Sequence, residues 1–71
     1  MSIVFSEHAK EQLKRRKISQ AKIIQVVRKP QDIITSYRRR KLRRVQNGGR
    51  ILQVVTITEG SKIIIISGYY I

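Results

Sequence analysis

A chain of 71 residues is long enough for one small domain, and a domain of this size buries only about 60% of the surface that its unfolded chain exposes. It contains no cysteine and one histidine, which argues against a disulfide framework and a zinc site, while 41% hydrophobic residues favour a folded domain over a disordered tail. Sixteen lysines and arginines against four acids give a formal net charge of +12, which indicates a polyanionic partner: nucleic acid first, an acidic protein second and a membrane surface third.

The first helix is predicted to follow an apolar entry at residues 3–5, which is itself compatible with a short strand. Ser6 suits the N-cap because its hydroxyl can accept a hydrogen bond from the first turn. The helix would run to about Lys17, with Ala9 and Leu13 forming a narrow apolar stripe along it. We therefore expect this helix to pack by one thin edge.

A second helix is predicted immediately after the first. Ser19 suits its N-cap, and Ile23 and Val27 recur at helical spacing. Pro30 ends it, because proline has no backbone N–H to donate and cannot continue a helix. Two helices joined by one or two residues would form a helical hairpin.

The rest of the chain predicts strands separated by turns. Asn-Gly-Gly at 47–49 is a strong hairpin signal, because Asn and Gly accept the positive φ of primed turns, and Glu-Gly-Ser at 59–61 is a second tight turn. The β-prone segments are residues 32–37, 38–46, 50–58 and 62–70. We therefore predict an α+β fold in which two N-terminal helices pack on a three- or four-stranded antiparallel β-meander, with residues 1–71 as a single domain.

The segment 38–44 is the strongest functional signal, since six of its seven residues are lysine or arginine. One interpretation is an edge strand that uses charge to prevent aggregation. We favour anion binding, because the guanidinium group matches phosphate and clustered arginines gain most from releasing counterions. The residues predicted to bind nucleic acid are Arg16, Arg38, Arg40, Lys41, Arg43, Arg44 and Arg50.

Few side chains are suited to proton transfer. Tyr69 and Tyr70 point to opposite faces of a strand, so we expect one in the core and the other exposed, where it would stack on a base, move a proton or simply pack. His8 is the only side chain that titrates near neutrality unperturbed, and a structural hydrogen bond is the alternative to a catalytic role. The four acids are scattered, and no metal site or cofactor is predicted.

The N-terminal half resembles a known family. Phe5-Ser6-Glu7-His8-Ala9, then Arg16, then Ile18-Ser19 are similar to the F-S-x-H-A…R-x-I-S opening of short proteins related to the RelE/ParE toxin superfamily. Gln12 and Lys17 stand where that family usually has arginine and glycine. The order of two helices and a meander ending in a tyrosine-containing strand also resembles RelE-type toxins.

The resemblance implies the toxin of a toxin–antitoxin pair that cleaves mRNA on the ribosome without a metal. The predicted catalytic residues are His8, Arg44 and Tyr70. The implied partners are RNA, the ribosome and an acidic antitoxin protein. The alternative is a non-enzymatic basic module that binds RNA, DNA or an acidic protein, including a gyrase-directed ParE-like toxin.

The sequence also bears on location. No apolar stretch approaches the roughly 18 residues that a membrane helix needs, and the N-terminus lacks the layout of a signal peptide. We therefore expect a soluble, cytoplasmic protein with no membrane partner.

Overall fold

Two helices cover one face of a five-stranded sheet in the computed structural model, which describes residues 2–71. The strand order in the sheet is β1-β5-β4-β3-β2. In chain order the elements are β1 (Ser2–Phe5), α1 (Glu7–Arg16), α2 (Gln20–Arg28), β2 (Asp32–Thr35), β3 (Arg40–Asn47), β4 (Arg50–Glu59) and β5 (Lys62–Tyr70).

Both helices begin at the predicted serines. The Ser6 hydroxyl accepts from the backbone N–H of Ala9 at 3.0 Å, and the Ser19 hydroxyl accepts from that of Lys22 at 3.1 Å. These bonds satisfy N–H groups that have no partner within the helix. Lys17 ends α1 in the left-handed conformation, with φ 58° and ψ 40°. The short caps leave α1 and α2 only three residues apart in sequence.

The predicted three- or four-stranded antiparallel meander is wrong. The sheet has five strands and is mixed, because β1 lies beside β5 and runs parallel to it, with Ile3 opposite Ile63 and Phe5 opposite Ile65. Turn signals predict only neighbouring strands, whereas this pairing joins the two ends of the chain.

The strand that carries the basic segment also begins later than predicted. Arg38 and Arg39 lie in the β2–β3 turn with φ of 59° and 62°, and β3 begins at Arg40. The residues before them form a complete strand, β2, which pairs with β3 at the sheet edge.

The core lies between the helices and the covered face of the sheet. Its buried side chains come from both helices, the connection between them, β4 and β5, and they are Ala9, Leu13, Ile18, Ile23, Val26, Val27, Leu52, Val54, Ile63 and Ile65. Gly68 lets side chains of both helices approach β5 closely, because a Cβ there would stand 2.9 Å from Ile23 Cδ1 of α2 and 3.2 Å from Leu13 Cδ2 of α1. Leu13, in the narrow apolar stripe of α1, therefore packs against a position of β5 that has no side chain.

The opposite face of the sheet, which we call the open face, has no helix on it among residues 2–71. Alternation places every second residue of each strand there. Two rows across the strands are largely apolar, namely Ile34–Leu42–Val55–Ser67 and Arg40–Ile57–Ile64–Val4. None of the helices in residues 2–71 is long and apolar enough to cross a membrane.

Candidate nucleic-acid interface

A third row on the open face is polar. The strand register places Asp32, Arg44, Gln53 and Tyr69 side by side across β2, β3, β4 and β5, and we call these four residues the polar row. Arg44 Nε donates to Gln53 Oε1 at 2.5 Å, and Gln53 Nε2 donates to Tyr69 Oη at 2.7 Å. Gln53 is only 5% exposed, so its amide holds the guanidinium and the phenol in fixed positions.

Helix α1 adds a second guanidinium to this end of the sheet. β1 pairs only with the first half of β5, so the outer edge of the second half has no strand partner. Arg16 Nη1 donates to the free carbonyl oxygen of Gly68 at 2.9 Å. Its Cζ then lies 5.7 Å from the centre of the Tyr69 ring, within reach of a cation–π contact.

His8 joins the same region through a neighbouring amide. Gln12 Oε1 accepts from Ser67 Oγ at 2.7 Å and from Arg16 Nη1 at 3.4 Å, which leaves Gln12 Nε2 to donate to His8 Nε2 at 2.8 Å. The His8 nitrogen can accept that bond only without a proton of its own. His8 is exposed, and Gln12 links it to Arg16 through hydrogen bonds to both side chains.

Tyr70 lies on the covered face, where it packs against the core. Its Oη accepts from Asn47 Nδ2 at 2.8 Å, and Arg50 Cζ stands 4.3 Å from its ring centre. At the end of β5 an open cleft of about 320 Å³ is lined by Arg16, Ile18, Arg50, Tyr69 and Tyr70, and we call it the tyrosine cleft. It contains two guanidiniums and no carboxylate.

The cations of this region have neutral partners. Among residues 2–71 the one salt bridge joins Lys10 to Glu7 at 3.4 Å, on the exposed side of α1. Arg44 is held by an amide and Arg16 by a backbone carbonyl and an amide, so their hydrogen bonds leave the charge uncompensated. Such a site attracts an anion from outside the protein.

The predicted binding residues do not form one surface. Alternation along β3 sends Arg40 and Arg44 to the open face, and Lys41 and Arg43 to the other. Arg38 lies in the β2–β3 turn, while Arg16 and Arg50 meet at the tyrosine cleft.

Arg43 conflicts most clearly with its predicted role. It is 9% exposed, and it donates to Thr56 Oγ1 at 3.2 Å and to the carbonyl oxygen of Val27 at 3.3 Å. We therefore leave it out of the interface.

Sequence reasoning missed the residues that organise the site. Gln53 lies in a strand whose neighbours are apolar on both faces, and an amide at such a position is the signal that could have marked it. Gln12 and Ser67 are far apart in sequence, and only the contact between α1 and β5 brings them together. Of the three predicted catalytic residues, Arg44 belongs to the polar row and His8 is linked to Arg16 through Gln12. Tyr70 lies on the covered face, whereas its neighbour Tyr69 is in the polar row.

The described residues offer no metal site. No three His, Cys, Asp or Glu side chains of residues 2–71 lie close enough to hold a metal ion together.

Comparison with known proteins gives a family and nothing beyond it. None of the curated proteins and none of the solved structures matches the chain significantly. One family model matches residues 5–69, a range that takes in α1, the polar row and most of the tyrosine cleft. Because that match covers nearly the whole sequence, the chain belongs to the family described as "Domain of unknown function (DUF4258)".

Proposed function

We propose that this protein is an RNA-binding toxin that holds single-stranded RNA over the polar row and the tyrosine cleft and cleaves it without a metal. The observation that carries the proposal is the pair of guanidiniums, Arg44 and Arg16, placed around Tyr69. Neither forms a salt bridge among residues 2–71, although Asp32 stands opposite Arg44 in the polar row. Tyr69 is half-buried, and guanidiniums without a salt bridge beside such a ring are typical of sites for phosphates and bases.

The hydrogen bonds suggest a role for each group. Tyr69 Oη accepts from Gln53, so its own O–H is free to donate outward. In RNA cleavage the 2′-hydroxyl attacks the neighbouring phosphorus, the P–O5′ bond breaks, and the leaving 5′-oxygen takes up a proton. Tyr69 would supply that proton, while Arg44 and Arg16 stabilise the charge on the phosphorane. His8 could take the proton from the 2′-hydroxyl only after its Nε2 has released the Gln12 amide, and water is the alternative acceptor.

The resemblance to RelE-type toxins adds the biological setting. On that basis the substrate would be mRNA on the ribosome, and an acidic antitoxin would neutralise the protein. The +12 charge suits both partners. We therefore expect induction of the protein alone to arrest growth.

The test compares two tyrosines of the same strand. Tyr69→Phe keeps the ring beside Arg16 but removes the phenolic proton, so cleavage of an RNA oligonucleotide and of ribosome-bound mRNA should fall by about 10²-fold or more, with affinity changed less than about threefold. Tyr70→Phe is the matched control, because it keeps the ring that lines the tyrosine cleft and removes only a hydroxyl that bonds to Asn47 on the covered face. It should keep both cleavage and binding. Chelation of divalent ions should leave wild-type cleavage unchanged.

Other outcomes would change the assignment. Salt-sensitive RNA binding with no cleavage by the wild-type protein would remove the nuclease step and leave the binding module. Equal loss of cleavage in both variants would contradict the role of Tyr69. Failure of the wild-type protein to bind RNA in a salt-sensitive manner would overturn the whole proposal.

A further inference from the structure

The β2–β3 turn is unusual for its residues. Its two central residues, Arg38 and Arg39, have φ of 59° and 62°, the primed geometry that normally selects Asn or Gly. The other tight turns follow that rule, with positive φ at Gly48, Gly49 and Gly60. Among residues 2–71 the other non-glycine residue with positive φ is Lys17 at the end of α1, so the β2–β3 turn differs from the glycine-containing hairpin turns.

Nothing within the fold explains the two arginines of this turn. Both side chains are exposed, and neither forms a salt bridge among residues 2–71. The turn is closed by its backbone, with Arg40 N–H donating to Tyr37 O at 3.4 Å and Ser36 N–H donating to Arg40 O at 2.8 Å. Apart from the contact of Arg38 with the neighbouring Tyr37 ring, these side chains have no partner among residues 2–71, and an unfavourable conformation held in this way suggests that they serve an external ligand.

The residue before the arginines supports a specific ligand. Tyr37 is 76% exposed, the most exposed large apolar or aromatic side chain of the described residues. Arg38 Cζ lies 5.6 Å from its ring centre, a cation–π contact that orients the ring in solvent. An exposed ring flanked by guanidiniums is suited to an unpaired nucleobase, which stacks on the ring while its phosphates meet the cations.

The turn is placed to act together with the polar row. Arg40 begins β3 next to the turn and Arg44 lies four residues further on the same face, so the start of β3 is about 14 Å from Arg44 at the usual rise per strand residue. The rows between them carry mainly aliphatic side chains. A single-stranded RNA held at the polar row would have to cross these aliphatic side chains to reach Tyr37.

We propose that the β2–β3 turn is a second nucleic-acid contact, in which Tyr37 stacks on an unpaired base and Arg38 and Arg39 bind the adjacent phosphates. This inference rests on RNA binding at the polar row, as proposed above. It adds that binding extends along β3 and that affinity depends on the length of the RNA.

The experiment is a length series of single-stranded RNA, from a dinucleotide to about 16 nucleotides, with affinity measured for each length. The wild-type affinity should rise with length and level off once the strand spans the polar row and the turn. Tyr37→Ala should match the wild type on the dinucleotide and lose about tenfold on the longest RNA, as expected for one base stacked on an aromatic ring. Tyr37→Phe should show the same rise in affinity with RNA length as the wild type, because the ring rather than the hydroxyl makes the contact.

The contribution of the turn arginines is tested by removing one positive charge and measuring how RNA affinity depends on salt. Arg39→Gly removes a cation and also suits the positive φ, so the fold should be retained. On long RNA it should reduce the dependence of log affinity on log salt by about 0.7, the value for one phosphate contact on a single strand. Arg15→Gln is the matched control, since it removes an exposed cation from α1 that belongs to neither surface, and it should leave the slope nearly unchanged.

The outcomes separate this inference from the proposed function. A Tyr37→Ala curve that superimposes on the wild type at every length, or Arg15→Gln lowering the slope as much as Arg39→Gly, would overturn the turn contact and leave the polar row intact. Wild-type protein that binds no RNA of any length would overturn both.

Discussion

At the scale of single residues, Lys17 has an unfavourable backbone conformation for which the described structure shows no compensating side-chain contact. It holds the left-handed conformation at the end of α1, where its N–H bonds to the carbonyl oxygens of Leu13 and Lys14. Any residue with a Cβ is disfavoured there, and helices commonly end with glycine at this conformation.

We therefore expect Lys17→Gly to raise the free energy of unfolding by about 0.5–1 kcal/mol, because relief of the left-handed strain exceeds the entropy cost of glycine. For a domain of this size that corresponds to a midpoint about 4 °C higher in thermal unfolding. Lys14→Gly, which removes the same charge inside α1, should instead cost about 1 kcal/mol. If both variants lowered the midpoint, strain at Lys17 would not be the explanation.

At the scale of secondary-structure elements, Arg43 ties three of them together. Its guanidinium lies on the covered face of β3, bonds to Thr56 on β4 and reaches the carbonyl oxygen of Val27 in the last turn of α2. A cation suits that position because the C-terminal end of a helix carries partial negative charge. Arg44, the next residue, faces the other way and bonds to Gln53.

The two arginines should therefore separate stability from binding. Arg43→Ala should lower the free energy of unfolding by about 2 kcal/mol, since it empties a buried site and leaves polar groups without partners. Arg44→Ala should cost less than about 1 kcal/mol but weaken RNA binding and reduce its salt slope. Urea unfolding and RNA titration of both variants measure this. Loss of RNA affinity by a fully stable Arg43→Ala protein would contradict the structural role.

At the scale of the whole molecule, charge is the dominant unbalanced force. A net charge of +12 on a chain of 71 residues, with one salt bridge among residues 2–71, leaves the cations repelling one another. The polar row, the tyrosine cleft and the β2–β3 turn add to this field. Anions in solution should therefore stabilise the fold by screening the repulsion.

We expect the midpoint of thermal unfolding to rise between about 10 mM and 150 mM NaCl, over which the screening length falls from about 30 Å to 8 Å. A polyanion such as polyphosphate should raise it further at the same ionic strength, because it binds the folded state. The variant Lys14→Gln with Arg15→Gln lowers the net charge by two and should show a shallower rise. A midpoint that falls over this range of salt would contradict the argument.

The local features of this fold were readable from the sequence. The serine caps at Ser6 and Ser19, the glycine turn at 47–49 and the last strand at 62–70 all depend on residues close together in the chain. The cationic run at 38–44 and the net charge likewise indicate an anionic partner, and that partner stays a prediction. Each of these follows from backbone preference or composition, which neighbouring residues determine.

The tertiary structure alone decided the rest. It placed β1 parallel to β5, which turned the predicted meander into a five-stranded mixed sheet, and it left α1 along the free half of β5 with Arg16 beside Tyr69. It also turned Arg43 inward and Arg44 outward, because strand alternation becomes a choice of face only when the helices cover one side. The β1–β5 pairing and the Arg16–Gly68 bond join residues more than 50 positions apart, and their energies depend on packing that no local pattern encodes.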